Sequence, residues 1–232
     1  MSFVKENIAN IESRIKTAAE KSGRNFEDIS LVAVTKTISP EIIQEAVDSG
    51  ITLLGENKVQ EARDKIDKIK GDVEWHLIGH LQRNKVKIAL ELFSLIQSLD
   101  SFALAEEIQK RARQMQKNVD VLVQVNIGLE KTKYGINPAD AESFIESVAS
   151  LENLNVKGLM AIAPFKENPE DVRPYFREMR SIFERIKQKS IKNVEMKYLS
   201  MGMSNDFEVA IEEGSNMVRI GTAIFGARDY SK

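Results

Sequence analysis

The sequence has 232 residues, a formal net charge of -2, 42% hydrophobic and 29% charged residues, and no cysteine. This composition is typical of one sizeable globular domain, and the missing cysteine excludes disulfides, thiolate metal sites and a thiol nucleophile. Basic and acidic side chains are nearly balanced, 33 against 35, so we expect no nucleic-acid partner and no attraction to an anionic membrane.

The first predicted element is an amphipathic helix at the amino terminus. Its apolar residues Val4, Ile8, Ile11, Ile15 and Ala18 fall on one helical face. This segment lacks the apolar stretch of a secretory signal, and no other stretch approaches the roughly 20 apolar residues of a membrane helix. We therefore expect a cytoplasmic protein.

Short β-branched runs then alternate with longer segments of helical period. The predicted strands are Ser30 to Val34, Ile51 to Leu54, Val73 to Ile78, Leu95 to Leu99, Val119 to Asn126, Val156 to Ile162, Glu195 to Leu199 and Met217 to Ile220. The predicted helices are Pro40 to Ser49, Lys58 to Lys70, Asn84 to Leu92, Ala103 to Gln116, Pro138 to Leu151, Pro169 to Lys189 and Phe207 to Glu213. This alternation indicates a (β/α)8 barrel, although an open doubly wound sheet fits it nearly as well. No linker interrupts it, so residues 1–232 are predicted to form a single domain.

Unusual residues at the ends of predicted strands favour the barrel, because a barrel builds its site there. These residues are Lys36, Asn57, His76, Gly79, Asn126, Ala163, Ser200 and Arg219. Lys36 follows an almost wholly apolar strand. In a desolvated barrel mouth the pKa of its amine would fall, and the amine could form a Schiff base with a carbonyl. A lysine at this position can equally extend into solvent.

A turn of small residues follows the seventh predicted strand. Ser200, Gly202 and Ser204 offer backbone N–H groups and hydroxyls to a phosphate at a helix amino terminus. The other interpretation is helix capping, by Ser204 or by Asn205.

A second turn follows the eighth predicted strand and contains Arg219, Gly221 and Thr222. The loops after strands seven and eight of such barrels often bind phosphate. The sequence does not predict a nucleotide-hydrolysing P-loop, because Ala-Arg at residues 227–228 stands where Lys-Ser/Thr is needed.

The two histidines do not predict a metal site. His76 lies in a predicted strand and His80 follows it, and in a strand-like pattern four residues span about 13 Å, too far apart for one ion. No serine has an evident histidine partner, so a hydrolase triad has little support either.

Together these motifs resemble the pyridoxal phosphate homeostasis family, also called the proline synthase co-transcribed homologues, from end to end. The markers are VAVTK at 32–36, GENKVQE at 55–61, WHLIGHLQRNK at 75–85, QVN at 124–126 with Lys133 and Gly135, GLMAI at 158–162, SMGMS at 200–204 with Asp206, and VRIGTAIFGAR at 218–228. The sequence departs from the family pattern at Thr35, where many relatives have serine, at His80, where some have proline, and at Asn216, where threonine is frequent.

The resemblance implies an α/β fold, a single (β/α)8 TIM-like barrel of pyridoxal phosphate fold type III, like the amino-terminal domain of alanine racemase. An extra amino-terminal helix would be present and the carboxyl-terminal β domain absent. The implied cofactor is pyridoxal 5′-phosphate (PLP), held as a Schiff base on Lys36. Carried over by position, Asn57 would lie near the ring, Arg219 would face the pyridine nitrogen, and the phosphate cup would contain Ser200, Gly202, Met203, Ser204, Gly221 and Thr222.

The implied function is a non-catalytic carrier or buffer of PLP, acting in intracellular vitamin B6 and amino-acid homeostasis with no catalytic residue. A permanently charged Arg219 at the ring nitrogen would weaken the cofactor as an electron sink. Racemase-like relatives add a second domain that supplies an acid/base tyrosine and a dimer interface, and no segment here could supply it. We therefore expect a monomer whose partners are PLP and PLP-dependent apoenzymes.

Two alternatives stay open. One is a PLP-dependent amino-acid racemase or lyase. The other, outside the cofactor class, is a Schiff-base aldolase that acts on phosphorylated sugars through Lys36.

Overall fold

Residues 2–226 are described by a computed structural model, in which eight parallel strands pair in chain order and the last pairs with the first. The strands are β1 (Ser30–Val34), β2 (Leu53–Glu56), β3 (Glu74–Leu77), β4 (Leu95–Leu99), β5 (Val119–Val125), β6 (Leu154–Ala161), β7 (Val194–Ser200) and β8 (Met217–Ile220). The closing pair aligns Ser30 with Met217 and Val32 with Arg219. The sheet is therefore a closed barrel, which confirms the predicted fold class and excludes the open sheet.

Helices surround the barrel and follow the strands. In the part of the chain that the structure describes they are α1 (Phe3–Lys21), α2 (Pro40–Asp48), α3 (Val59–Ile66), α4 (Val86–Leu92), α5 (Phe102–Gln114), α6 (Ala141–Val148), α7 (Arg173–Lys187), α8 (Phe207–Glu212) and α9 (Thr222–Phe225). Short 3₁₀ turns cover Phe26–Asp28, Arg83–Lys85, Pro138–Asp140 and Pro169–Val172. Three of these turns stand where the sequence predicted the first residues of α4, α6 and α7.

The predicted end of α3 at Lys70 is wrong. The helix ends at Ile66, because the N–H groups of Lys68 and Ile69 bond to carbonyls three residues back instead of four. The sequence analysis also missed α9, a single turn that directly follows β8.

The extra amino-terminal helix packs against α8 and α9. Its predicted apolar face is confirmed, since all five of its residues are buried. Ser2 caps this helix by accepting the N–H of Lys5. Asn7 Nδ2 donates to the carbonyl oxygen of Ile224 at 2.8 Å, so the first helix is bonded to the last one described.

Apolar side chains fill the space between strands and helices, and a smaller apolar group lies inside the barrel, away from the carboxyl ends of the strands. The interior group consists of Val32, Leu95, Leu122, Met160 and Met217. Higher in the barrel the buried side chains are polar, among them His76, Gln97, Ser200 and Arg219. The carboxyl ends of the strands therefore surround a polar interior, as expected for a barrel with its site at that end.

Two absences concern the described residues alone. Within 2–226, no helix combines the length and the apolar character needed to cross a membrane. In the same range, no group of three or more histidine, cysteine, aspartate or glutamate side chains could hold a metal ion. The prediction of one domain over 1–232, and the comparison of 227–228 with a P-loop, extend outside the described residues.

Gly158 lies where β6 has one extra residue against β5, since Val156 and Gly158 pair with Val121 and Leu122, and where the register against β7 also shifts. Its φ is 143°, and an added Cβ would lie 1.9 Å from the carbonyl oxygen of Tyr198. We expect Gly158→Ala to lower the free energy of unfolding by about 3 kcal/mol or more, because both φ and the β7 backbone resist the change. Urea denaturation of the variant measures this loss.

Gly50→Ala is the matched control. Gly50 also has a positive φ, 102°, but an added Cβ there meets no atom within 4 Å. We expect a loss of about 1 kcal/mol, from backbone strain alone. Equal losses in the two variants would contradict the steric explanation.

Candidate functional site

A cavity of about 450 Å³ opens at the carboxyl ends of the strands. This volume lies within the range of small-molecule sites. Its lining comprises Val34, Lys36, Asn57, Ile78, Gly79, His80, Gln124, Tyr134, Ile162, Met203, Ser204, Asn205, Arg219, Gly221 and Thr222. The structure thus brings seven of the nine predicted site residues to one cavity: Lys36, Asn57, Met203, Ser204, Arg219, Gly221 and Thr222.

The remaining two predicted residues, Ser200 and Gly202, do not line the cavity but contact Arg219, which does. The hydroxyl of Ser200 accepts from Arg219 Nη1 at 2.6 Å. The carbonyl oxygen of Gly202 accepts the backbone N–H of Arg219 at 3.0 Å. Both residues therefore support the cavity wall from behind.

A chain of buried hydrogen bonds fixes the Arg219 guanidinium. Besides Ser200, the guanidinium donates through Nη2 to the carbonyl oxygen of Ala161 at 2.8 Å. Ser200 in turn donates to Gln97 Oε1 at 2.7 Å, and Gln97 Nε2 donates to His76 Nδ1 at 3.0 Å. The chain joins β3, β4, β7 and β8 across the barrel interior, so the orientation of Arg219 depends on all four strands.

Burial alters the pKa values of the charged groups in this interior. It lowers the pKa of Arg219 to about 10, although the nearby Asp206 carboxylate opposes the shift. At neutral pH the guanidinium is therefore still protonated. Burial raises the pKa of Asp206, while the N–H of Met203 and the charge of Arg219 act in the opposite direction.

Asp206 is the N-cap residue of α8, so the predicted capping by Ser204 or Asn205 is wrong. Its Oδ1 accepts the N–H of Met203 at 2.6 Å, which closes the turn in front of the helix. Ser204 bonds to a different element: its Oγ accepts the N–H groups of Gly221 and Ala223, both at 3.3 Å. The two small-residue turns predicted from the sequence are thereby joined at the cavity.

Across the barrel from the turns after β7 and β8, two aromatic rings stack in the cavity lining. The His80 and Tyr134 rings are 3.8 Å apart at an angle of 9°. His80 Nδ1 also lies 2.9 Å from the Asp100 Oδ2 atom. These contacts connect the loops that follow β3, β4 and β5.

The sequence analysis missed Gln97, Gln124 and Tyr134 as parts of this region. For Gln97 a signal was present, because Gln-Ser at 97–98 interrupts the apolar strand LIQSL. A buried polar side chain in a barrel strand indicates a partner inside the barrel. Tyr134 gives no such signal, since nothing local distinguishes it from any exposed loop tyrosine.

Comparison with known proteins identifies the family. The family described as alanine racemase, N-terminal domain, matches residues 7–229. The chain is 47% identical over 226 residues to the pyridoxal phosphate homeostasis protein of Aquifex aeolicus strain VF5, covering 97% of this chain and 98% of that one. The chain belongs to the pyridoxal phosphate homeostasis protein family. The protein of that name from Escherichia coli K12 is 41% identical over 238 residues and is covered in full.

Solved structures agree with this assignment. The structure of PipY from Synechococcus elongatus PCC7942 with PLP bound has a TM-score of 0.84 and 32% identity, covering 96% of this chain and 100% of PipY. Alanine racemase of Clostridium difficile 630 has a TM-score of 0.72 at 16% identity, covering 98% of this chain and 57% of the racemase. This second likeness shows a shared barrel fold alone.

His76 should make stability depend on pH. Burial lowers its pKa from 6.5 to about 4. Between these values the unfolded chain binds a proton that the folded protein does not, so stability falls as the pH falls through this window. For this one group we expect a loss of about 2 kcal/mol between pH 7 and pH 5.

The measurement is urea denaturation at both pH values, with His76→Asn as the comparison. Asparagine offers an acceptor to Gln97 and does not titrate, so the difference in unfolding free energy between the two pH values should shrink by that amount. An unchanged pH dependence in the variant would assign the effect to other groups.

Proposed function

We propose that this protein binds PLP as a Schiff base on Lys36 and acts as a non-catalytic carrier or buffer of the cofactor in vitamin B6 homeostasis. The observation that carries the proposal is the meeting of Lys36, Arg219 and the Ser204 turn at one cavity. The family assignment and the PLP bound to the PipY structure support it. A cytoplasmic location, a monomeric state and apoenzyme partners stay predictions.

The residues around the cavity fit this cofactor in chemistry and in size. PLP carries an aldehyde that condenses with an amine and a pyridine ring that can withdraw electrons. Lys36 supplies the amine, and about 450 Å³ is sufficient for a ligand of this kind. Asn57 lies in the lining and offers an amide to the ring substituents.

For the phosphate we propose the turns after β7 and β8. The Ser204 and Thr222 hydroxyls and the Gly221 backbone lie together in the lining. Ser204 Oγ accepts two N–H groups, which leaves its own hydroxyl proton to donate to an anion. Gly202 has a φ of 94° and packs so tightly that an added Cβ would lie 2.6 Å from Ala210 Cβ, so it shapes the turn. Met203 completes this part of the lining.

We assign Ser200 to the support of Arg219, because its hydroxyl donates to Gln97 and accepts from the guanidinium. Arg219, with a pKa of about 10, presents a positive charge to the cavity at neutral pH. A cation opposite the pyridine nitrogen disfavours protonation of that nitrogen and so limits electron withdrawal by the ring. This charge therefore favours a protein that binds the cofactor over an enzyme that catalyses a reaction with it.

The alternative, a PLP-dependent amino-acid racemase or lyase, draws on one observation. Tyr134 and His80 line the same cavity as Lys36, so it contains side chains of the kind that serve as acids and bases. Their rings are stacked on each other, and His80 also bonds to Asp100, which restricts both of them. For this reason the carrier function is preferred.

Incubation with PLP should produce the visible absorption of an imine. Borohydride reduction should then fix one pyridoxyl group, which peptide mass spectrometry should locate on Lys36, because this lysine lines the cavity. Lys36→Ala should lose the label at this position. Lys157→Ala should keep it, since the Lys157 amine bonds to Glu195 and does not line the cavity. A labelled wild-type protein without label on Lys36 would refute the assignment.

With the cofactor loaded, a panel of amino acids in D₂O should show no α-proton exchange and no turnover by NMR. The physical reason is the Arg219 charge, which keeps the ring a weak electron sink. Exchange that is lost in Tyr134→Phe would support the racemase or lyase alternative and contradict the non-catalytic function.

A further inference from the structure

Three ionisable side chains meet next to the backbone that flanks Lys36. They are Glu56 at the end of β2, and Glu61 and Lys65 on α3. Lys65 Nζ lies 2.8 Å from Glu56 Oε1 and 2.6 Å from Glu61 Oε1. The Glu56 side chain is fully buried and that of Lys65 nearly so, whereas Glu61 is partly exposed. The two α3 residues are four positions apart, which places them on one face of the helix.

This cluster bonds to the chain on both sides of Lys36. Lys65 Nζ donates to the carbonyl oxygen of Thr35 at 2.8 Å. On the other side, the backbone N–H of Thr37 donates to Glu61 Oε1 at 2.5 Å. The peptide groups before and after Lys36 are thus held by two side chains that are themselves ion-paired.

The backbone at this point needs such support. Thr37 has a φ of 65°, in the left-handed region that disfavours a β-branched residue. The N–H of Ile38 bonds back to the carbonyl oxygen of Thr35 at 3.0 Å, which makes a tight turn around Lys36. The direction in which the Lys36 side chain leaves β1 depends on this turn.

The electrostatics keep Glu61 a strong acceptor. Burial raises the pKa of its carboxyl, but the bonds from Lys65 and from the N–H of Thr37 lower that pKa by more. In Glu56 the balance is reversed: burial raises the pKa and outweighs the bonds from Lys65 and Thr35. Because its pKa is lowered, Glu61 is ionised at neutral pH and accepts strongly from the N–H of Thr37.

We propose that Glu61 is a positioning residue for Lys36, a role that rests on the proposed function. Through the amide of Thr37 and the amine of Lys65, it holds the strained turn that aims the Lys36 amine at the cavity. It does not itself line the cavity. The motif GENKVQE, at residues 55–61, then contributes one side chain to the cavity, Asn57, and two to the support of Lys36.

The test is a series at one position: Glu61→Gln, Glu61→Asp and Glu61→Ala. The PLP concentration for half-maximal imine absorbance is measured for each, and borohydride labelling locates the imine. Glutamine keeps the length and the carbonyl acceptor for Thr37, whereas aspartate keeps the charge but is one methylene too short to reach both partners. We expect Glu61→Gln to stay near wild type and the other two to need at least about tenfold more PLP.

The rank order of the three variants distinguishes a positioning role of Glu61 from a purely stabilising one. If Glu61 served only to stabilise the ion cluster, Glu61→Asp would outperform Glu61→Gln, because it retains the charge beside Lys65. Urea denaturation of each variant records stability independently. If Glu61→Ala does not fold, the aspartate and glutamine variants decide the question between them.

Glu195→Ala is the control, since it removes a carboxylate paired with Lys157 at 2.8 Å and outside the cavity lining. It should bind PLP as wild type does. Suppose that wild-type protein is labelled on Lys36. The positioning role alone would then be overturned if all Glu61 variants needed the same PLP concentration for half-maximal absorbance, or if Glu61→Asp needed less PLP than Glu61→Gln. Label absent from wild-type Lys36 would overturn the proposed function as well.

Discussion

Closure of the barrel is the constraint on which the candidate site depends. The pairing of β1 with β8 brings Val32 beside Arg219, so residues from the two ends of the sequence share one wall. Lys36 continues from β1, while Gly221 and Thr222 continue from β8, and all three reach the same cavity. In an open sheet these strands would be edges far apart. The site is therefore a product of the complete fold and has no counterpart in any local segment.

Nearer the carboxyl ends of the strands, side chains inside the barrel form hydrogen bonds in place of apolar packing. Barrels of this type commonly fill their centre with layers of branched apolar side chains. Here a continuous chain from His76 through Gln97 and Ser200 to Arg219 occupies that level. Buried polar groups are tolerated when each has partners, and such networks fix side-chain orientation. The orientation of the Arg219 guanidinium is accordingly fixed by buried hydrogen-bond partners behind the cavity surface.

Much of this arrangement could be predicted from the sequence, and the limits have physical causes. The apolar period defines strands and helix faces, and the strand ends then mark Lys36 and Arg219, both of which line the cavity. Side-chain partners from distant strands are not encoded locally, so the sequence predicts Ser200 for the site but does not predict its bonds to Gln97 and Arg219. Caps are ambiguous for the same reason: Ser204, Asn205 and Asp206 are all residue types that suit a helix start, and the fold places Asp206 at the N-cap.

The packing of α1 has a consequence for how the chain folds. Much of its buried face lies on α8 and α9, and Asn7 bonds to Ile224, so α1 depends on partners that are about 200 residues later in the chain. Contacts of such long sequence separation slow folding, because a large loop must close before they form. Until α8 and α9 have formed, the part of the α1 apolar face that they cover has no partner. Apolar surface exposed at this stage of folding favours aggregation.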